Sequence, residues 1–141
     1  MFFRFVLKIM ESKFNIFSLH ACSLFDEKTE RFFIICGGAG SGKTAFISKG
    51  IEAGSKIFST EMTHFDPWSA GKLKFHKGSL LDNIRIANLK YDYPNTYERL
   101  ELNLPEAEDE WGTKTTVDLS QYQTSFDDLD DSELVLVFPH I

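Results

Sequence analysis

Apolar positions in this chain gather in short blocks separated by polar or glycine-rich breaks, the pattern of a sheet-based domain. Phe2 to Lys8 and Phe14 to Phe25 are rich in Phe, Val, Ile and Leu and read as strands. In the second, Phe17, Leu19 and Ala21 alternate with Ser18, His20 and Cys22, the period of a strand with one buried face. The polar run FDEKTE then predicts a hairpin turn. RFFIIC, residues 31–36, is continuously apolar after its first residue, as expected of a central strand buried on both faces. Lys43 to Ala53 predicts a helix whose apolar side carries Ala45, Phe46, Ile47 and Ile51. Gly54 stands where a helix end favours a residue that tolerates positive φ. KIFSTE, residues 56–61, predicts the next strand.

Farther along, the pattern weakens. Residues 63–72 contain Pro67 and Gly71 and read as a loop. Residues 74–89 predict a short strand followed by a turn or helix around SLLDNIRI, and residues 91–99, with Pro94, give no clear period. The chain reads as irregular from Leu104 to Lys114. Strands are expected at residues 114–119 and at LVLVF, residues 134–138. No internal repeat and no low-complexity linker stands out.

Between the RFFIIC strand and the following helix lies Gly37-Gly38-Ala39-Gly40-Ser41-Gly42-Lys43-Thr44, a full G-x-x-x-x-G-K-[ST] match. By chance it is expected in well under about one chain in fifty of this size, and its strand–loop–helix setting is an independent agreement. The chemistry accounts for each position. Glycines let the backbone turn tightly so that N–H groups from Gly38 to Lys43 point at one anion. The helix that opens there, with Lys43, Thr44 and Ala45 in its first turn, adds its partial positive charge. Lys43 can reach the β- and γ-phosphates of a nucleoside triphosphate, and the Thr44 hydroxyl can join Mg²⁺. ATP or GTP, with Mg²⁺, is the expected ligand.

Phosphoryl chemistry also needs a carboxylate near the metal or the attacking oxygen. Glu61 closes the KIFSTE strand eighteen positions after Lys43, so it is the first choice for metal contact with Thr44, or for a base. Asp66 and the cluster from Asp127 to Asp131 are the alternatives. His20 is a catalytic candidate, because histidine is the side-chain type suited to proton transfer near neutral pH. Lys114 could meet a phosphate or a substrate anion, and Lys77, Asp82, Asn83 and Arg85 could contribute to an acceptor site.

The stretch FSLHACSLFDEKTERFFIICGGAGSGKTAFISKGIEAGSKIFSTE, residues 17–61, resembles the nucleotide-binding core of HPr kinase/phosphorylase and its relatives, a group that shares a fold with ATP-dependent phosphoenolpyruvate carboxykinases. The shared pattern is a strand bearing His20-Ala21, a hairpin, an apolar strand, the glycine loop, a helix ending at Gly54 and a strand ending in acid. The resemblance covers about a third of the chain. It implies an α/β fold with a mixed central sheet and transfer of the γ-phosphate of ATP to a hydroxyl, with Lys43, Glu61 and His20 at the reacting centre. The family ends the acidic strand with two aspartates, the first serving as base. Here Thr60-Glu61 stands in their place, so phosphorylation of the HPr type is not expected, and no base for the acceptor is evident. A regulatory ATPase or switch, and a nucleotide binder without turnover, are the alternatives to a phosphotransferase.

Composition narrows the setting. With 141 residues, 43% hydrophobic and 26% charged, the chain suits one globular domain over residues 1–141. The net charge of −6 conceals a stretch from Glu101 to Glu133 with eleven acids and one base, Lys114; the remainder has ten acids and fourteen bases. No concentrated basic surface points to nucleic acid. No apolar run reaches the ~20 residues of a membrane span, and the opening MFFRFVLKIM is broken by Arg4 and Lys8 without a small-residue cleavage site, so a cytoplasmic location away from membranes is expected. Cys22 and Cys36 read as buried free thiols. The four histidines show no metal-ligand spacing. The end at Phe138-Pro139-His140-Ile141 directly follows an apolar strand, which predicts either a truncated chain or a core completed by another subunit in a homo-oligomer. The phosphoryl acceptor is left open.

Overall fold

The computed structural model describes residues 2–100, 109, 111–125, 129 and 132–139. Among these residues the fold is mixed α/β with three sheets. In chain order the elements are α1 (Phe2–Phe14), β1 (Phe17–Leu19), β2 (Ala21–Asp26), β3 (Arg31–Cys36), α2 (Lys43–Ala53), β4 (Lys56–Ser59), β5 (Thr63–Ser69), β6 (Lys72–His76), β7 (Leu81–Arg85), α3 (Ile86–Asp92), α4 (Pro94–Leu100), β8 (Lys114–Asp118), a 3₁₀ turn (Ser120–Tyr122) and β9 (Glu133–Val137).

The largest sheet has four strands in the order β4-β2-β3-β9. β2 runs antiparallel to both β3 and β4, whereas β9 joins β3 in parallel, so the sheet is mixed. As the RFFIIC run implies, β3 is an interior strand. Its alternate residues serve opposite faces. Ile35 and the half-buried Phe33 join α2, α3 and the β7–β8 ribbon in a core built around Ile47, Ile51, Ile57, Ile84 and Leu89. Phe32 and Ile34 pack on the other face with Phe25 and Phe58. There Phe75 from β6 closes an aromatic cluster, its ring centroid 4.8 Å from that of Phe32 and edge-on to it.

Three hydroxyls tie this second face together. Ser23 Oγ lies 2.6 Å from Ser59 Oγ, Ser59 Oγ lies 2.7 Å from Thr63 Oγ1, and Thr63 donates to the Ala21 carbonyl at 3.0 Å. All three residues are buried, and each hydroxyl has a partner, which buried polar groups require. The network joins β2 and β4 to the first residue of β5, and so links the four-stranded sheet to the β1-β5-β6 sheet.

Several expectations change. The opening segment is a helix, not a strand. Arg4, Lys8, Glu11 and Ser12 recur at spacings of three and four, which makes one polar stripe on a helix, whereas a strand would turn Glu11 to the face opposite the other three. The single strand expected over residues 14–25 is broken by a bend at His20 into β1 and β2, which belong to different sheets. Residues 63–69 form β5 rather than a loop. Pro67 is accommodated because the β5–β6 register shifts between Asp66 and Ser69, freeing it from the ladder. On α2 the buried residues are Ile47, Ser48 and Ile51, whereas Ala45 and Phe46 are exposed. The RFFIIC strand, the Lys43–Ala53 helix and the strand from Lys114 form as expected, and Gly54 ends α2 at φ 90° with its N–H directed at the Gly50 and Ile51 carbonyls. KIFSTE forms a strand only to Ser59, with Thr60 and Glu61 in a bend. No helix among the described residues is long and apolar enough to cross a membrane.

The connection from β6 to β7 passes hard against the β4–β5 turn. A Cβ at Gly78 would lie 2.7 Å from Ser59 Cβ and closer still to the Met62 carbonyl oxygen. Backbone cannot give way there as a flexible side chain can, so Gly78→Ala should destabilise the fold by about 1–3 kcal/mol. Thermal unfolding reads this directly, and an unchanged midpoint would show that the two segments do not depend on that approach.

Candidate functional site

The glycine-rich loop leaves β3 at Cys36 and enters α2 at Lys43. Gly40 and Gly42 have φ of 82° and 81°, the left-handed region that glycine enters without strain. Gly42 is the residue before the helix, and no side chain caps the first turn. The leading N–H groups of a helix have no intrahelical acceptor, so they face outward toward whatever anion approaches. Lys43 folds back over the loop. Its Nζ donates to the Gly37 carbonyl at 2.7 Å and the Gly38 carbonyl at 2.9 Å. Ser41 Oγ donates to the same Gly38 oxygen at 2.9 Å. The ammonium is thus held at the mouth of the loop by neutral carbonyls, a weaker hold than a carboxylate would give.

Because β2 is antiparallel to both neighbours, β3 and β4 point the same way and end at the same edge of the sheet. A cavity of about 400 Å³ opens at that edge. Ala39, Gly40, Gly42, Lys43, Thr44 and Ala45 form one wall. Thr60 and Glu61 enter from the end of β4, His20 from the bend before β2, and Asp82, Asn83 and Arg85 from β7. Lys114 from β8 and Asn88 and Tyr93 from the α3 region complete it. His20 also ties its edge to the loop, its carbonyl accepting the Gly37 N–H at 3.2 Å.

Thr60 decides where the carboxylates lie. It is buried, its N–H bonds the Ser79 carbonyl at 2.9 Å, and its Oγ1 lies 2.6 Å from the Leu81 carbonyl and 3.0 Å from that of Ser79. This pins the start of β7 to the end of β4. The next residue, Asp82, turns toward α2, with Oδ1 accepting the Asn83 N–H at 2.8 Å and standing 3.5 Å from Thr44 Oγ1. Its other oxygen, Oδ2, is buried without a hydrogen-bond partner. Burial pushes the Asp82 carboxyl above its ordinary range and the nearby charge of Glu61 adds to the rise, while Asn83, Thr44 and Lys114 oppose it.

The sequence-predicted residues divide accordingly. Lys43, Thr44, Glu61, His20, Asp82, Asn83, Arg85 and Lys114 share the cavity, and Lys77 is not among its lining residues. Asp66 is occupied elsewhere, accepting from Asn15 Nδ2 at 3.2 Å and the Trp68 N–H at 2.9 Å. The Asp127–Asp131 carboxylates lie outside the described residues. Sequence reasoning assigned Asp82 to an acceptor site and missed it as the neighbour of Thr44, because the contact spans thirty-eight positions and depends on how β7 packs. Cys22 lies beneath the loop, its Sγ 3.7 Å from the Lys43 carbonyl. Burial, reinforced by Asp82, pushes its thiol up to about 12, which leaves it un-ionised and unreactive near neutrality. Cys36 is free and half-buried.

A metal has a credible seat here. Among the described residues no three His, Cys, Asp or Glu side chains converge as a self-sufficient metal site. Mg²⁺, however, binds through one or two carboxylates together with phosphate oxygens and water. Thr44 Oγ1, the unpartnered Asp82 Oδ2 and the exposed Glu61 suit that mode.

A carboxylate held above its ordinary pKa favours the folded state when protonated. The folded protein then binds more protons than the unfolded chain, so stability falls as pH rises through that interval. Asp82→Asn, which keeps the size and removes the charge, should raise ligand-free stability at pH 7 by roughly 1 kcal/mol. The gain should shrink as pH falls toward the ordinary carboxylate range. Denaturant melts at several pH values test this, and a variant less stable than wild type at pH 7 would contradict it. No protein-family model matches the chain, and a comparison with curated proteins gives no match.

Proposed function

We propose that the chain binds a magnesium–nucleoside triphosphate, ATP or GTP, at the Gly37–Thr44 loop and moves the γ-phosphoryl group to a hydroxyl of an acceptor. The fold reading that accompanies it is an HPr-kinase-type phosphate-loop domain. What carries the proposal is the meeting of Thr44, Asp82 and Glu61 with Lys43 in one cavity, opposite an uncapped helix N-terminus.

In this reading the loop N–H groups and the start of α2 bind the phosphate chain. Lys43 leaves its two carbonyl partners, which are uncharged, for phosphate oxygens, which are not. Thr44 and Asp82 hold the metal. The Asp82 charge, which burial disfavours, would gain its counter-ion there. When bound, Mg²⁺ supplies charge neutralisation on the phosphate oxygens. Glu61, exposed at the cavity rim, is left to orient the acceptor hydroxyl and take its proton. The hydroxyl oxygen forms the new bond to phosphorus, the bond from phosphorus to the bridging oxygen breaks, and the nucleoside diphosphate departs. Thr60 has no part in proton transfer, since its hydroxyl is engaged by backbone carbonyls.

Three variants separate these roles. Calorimetry with Mg·ATP and Mg·GTP should show binding by the wild type that falls by at least about tenfold in Lys43→Ala, the scale of a lost charge-assisted contact. Asp82→Asn should lose the magnesium dependence of binding. Glu61→Gln should keep binding but reduce transfer of γ-labelled phosphate from ATP to components of a cell extract by about 10²–10⁴. No heat from either nucleotide with folded wild-type protein would end the proposal. Label passing only to free phosphate would favour a hydrolytic switch.

A further inference from the structure

Two cations of the cavity remain unused by the nucleotide reading. Arg85 and Lys114 are directly opposite each other in the antiparallel β7–β8 ribbon. Side chains so paired have Cβ atoms about 4.5–5.5 Å apart, and like charges there destabilise the pair. Both residues are exposed, and both line the cavity. The ion pairs of the described residues are Arg31–Glu133 and Lys56–Glu27, so neither cation is neutralised by one. On the same face, the next pair is Asn83 and Thr116, bonded to each other at 2.9 Å and uncharged. A single lysine at a strand end is an ordinary surface residue. Two cations paired across the ribbon cost the fold repulsion, which the nearby Asp82 offsets only in part for Lys114 and which a bound anion would relieve further.

We infer that Arg85 and Lys114 form a second anion subsite, distinct from the glycine-rich loop, which holds a carboxylate or phosphate group of the phosphoryl acceptor. The inference rests on the proposed function and narrows its substrate class to a small hydroxylated molecule bearing an acidic group. The two sites come from different parts of the fold. The loop binds through backbone N–H groups between β3 and α2, whereas the subsite is made by side chains of the separate β7–β8 sheet. Arg85 can grip a planar carboxylate or a phosphate with two parallel N–H bonds, and Lys114 adds a mobile point charge. Asp82 and Glu61 line the same cavity as this pair.

The test is a calorimetric titration of inorganic phosphate, and separately of malonate, into protein saturated with magnesium and a non-hydrolysable ATP analogue. At least one anion should bind, and its affinity should fall by at least about tenfold in Arg85→Gln/Lys114→Gln, while affinity for the nucleotide analogue changes by less than about threefold. The charge-preserving pair Arg85→Lys/Lys114→Arg should restore most of the anion affinity, which a merely unfolded variant could not do. The preference between the probes tells phosphate from carboxylate. A second titration uses ligand-free Lys43→Ala, in which the loop is weakened as an anion site. It reads the subsite even if no nucleotide binds, an outcome that would overturn the proposed function alone. Absence of anion heat in both settings, an affinity unaffected by the double variant, or an equal loss of nucleotide and anion affinity would overturn the subsite.

Discussion

The geometry of the cavity depends on one buried hydroxyl. Thr60 has no room to reach solvent, and its Oγ1 and N–H are both engaged by the backbone of residues 79–81. A hydroxyl buried without such partners would cost on the order of 1–3 kcal/mol, so the contact is strongly favoured once β4 is in the core. Its consequence lies one residue farther on. Fixing the Leu81 carbonyl fixes the direction in which Asp82 leaves the strand, and that direction is toward Thr44. The residue that looks least chemical in the acidic turn is therefore the one that determines where the acid is found.

Electrostatics at the cavity run against stability. Asp82 is ionised only against the penalty of its burial and the nearby charge of Glu61, Lys43 rests on carbonyls rather than a carboxylate, and Arg85 faces Lys114. The Asp82 charge and the Arg85–Lys114 pair are unfavourable by themselves and improve with a ligand of the opposite sign, while Lys43 would exchange neutral partners for charged ones. Elsewhere polar groups are mostly paired, although His76 Nε2, Thr96 Oγ1 and Tyr122 OH are also buried without a hydrogen-bond partner. Arg31 bonds Glu133 at 2.7 Å across the β3–β9 pair, and the buried hydroxyls between the sheets are all partnered. Charged groups of both signs gathered in one cavity, with a buried carboxylate oxygen among them, are the pattern of a binding site.

What the sequence makes legible is local. The path from Arg31 through the glycine loop to Gly54 is written in contiguous residues: an apolar run, glycines at the left-handed positions, and a helix with a glycine end. Elements defined by distant contacts are less visible. The helix over residues 2–14 was hidden because eight apolar residues among the first ten obscure its polar stripe. β5 was hidden because Pro67 signals a break, whereas the shift in pairing beside it removes the need for its missing N–H. The same limit applies to the site. Glu61 could be expected from its spacing to Lys43, but the approach of Asp82 to Thr44 follows from the packing of Ile84 in the core beside α2, which no local pattern encodes.

The topology explains how side chains from distant segments gather around the glycine-rich loop without disturbing it. β3 and β4 end at one edge because β2 lies antiparallel between them, and the bend at His20 brings the start of β2 to that same edge. The β7–β8 ribbon reaches the edge from outside the sheet, held by the Thr60 clamp and by Ile84 and Val117 in the core. Segments from separate sheets thus supply the side chains around the loop, and the loop's own backbone depends on none of those side chains. In the phosphotransferase reading, Asp82 can serve the metal although Thr60 carries no acid, since a metal and a phosphate respond to where an oxygen stands and not to which strand carries it. Thr60 then supports, through the Leu81 carbonyl, the acid that it does not itself supply.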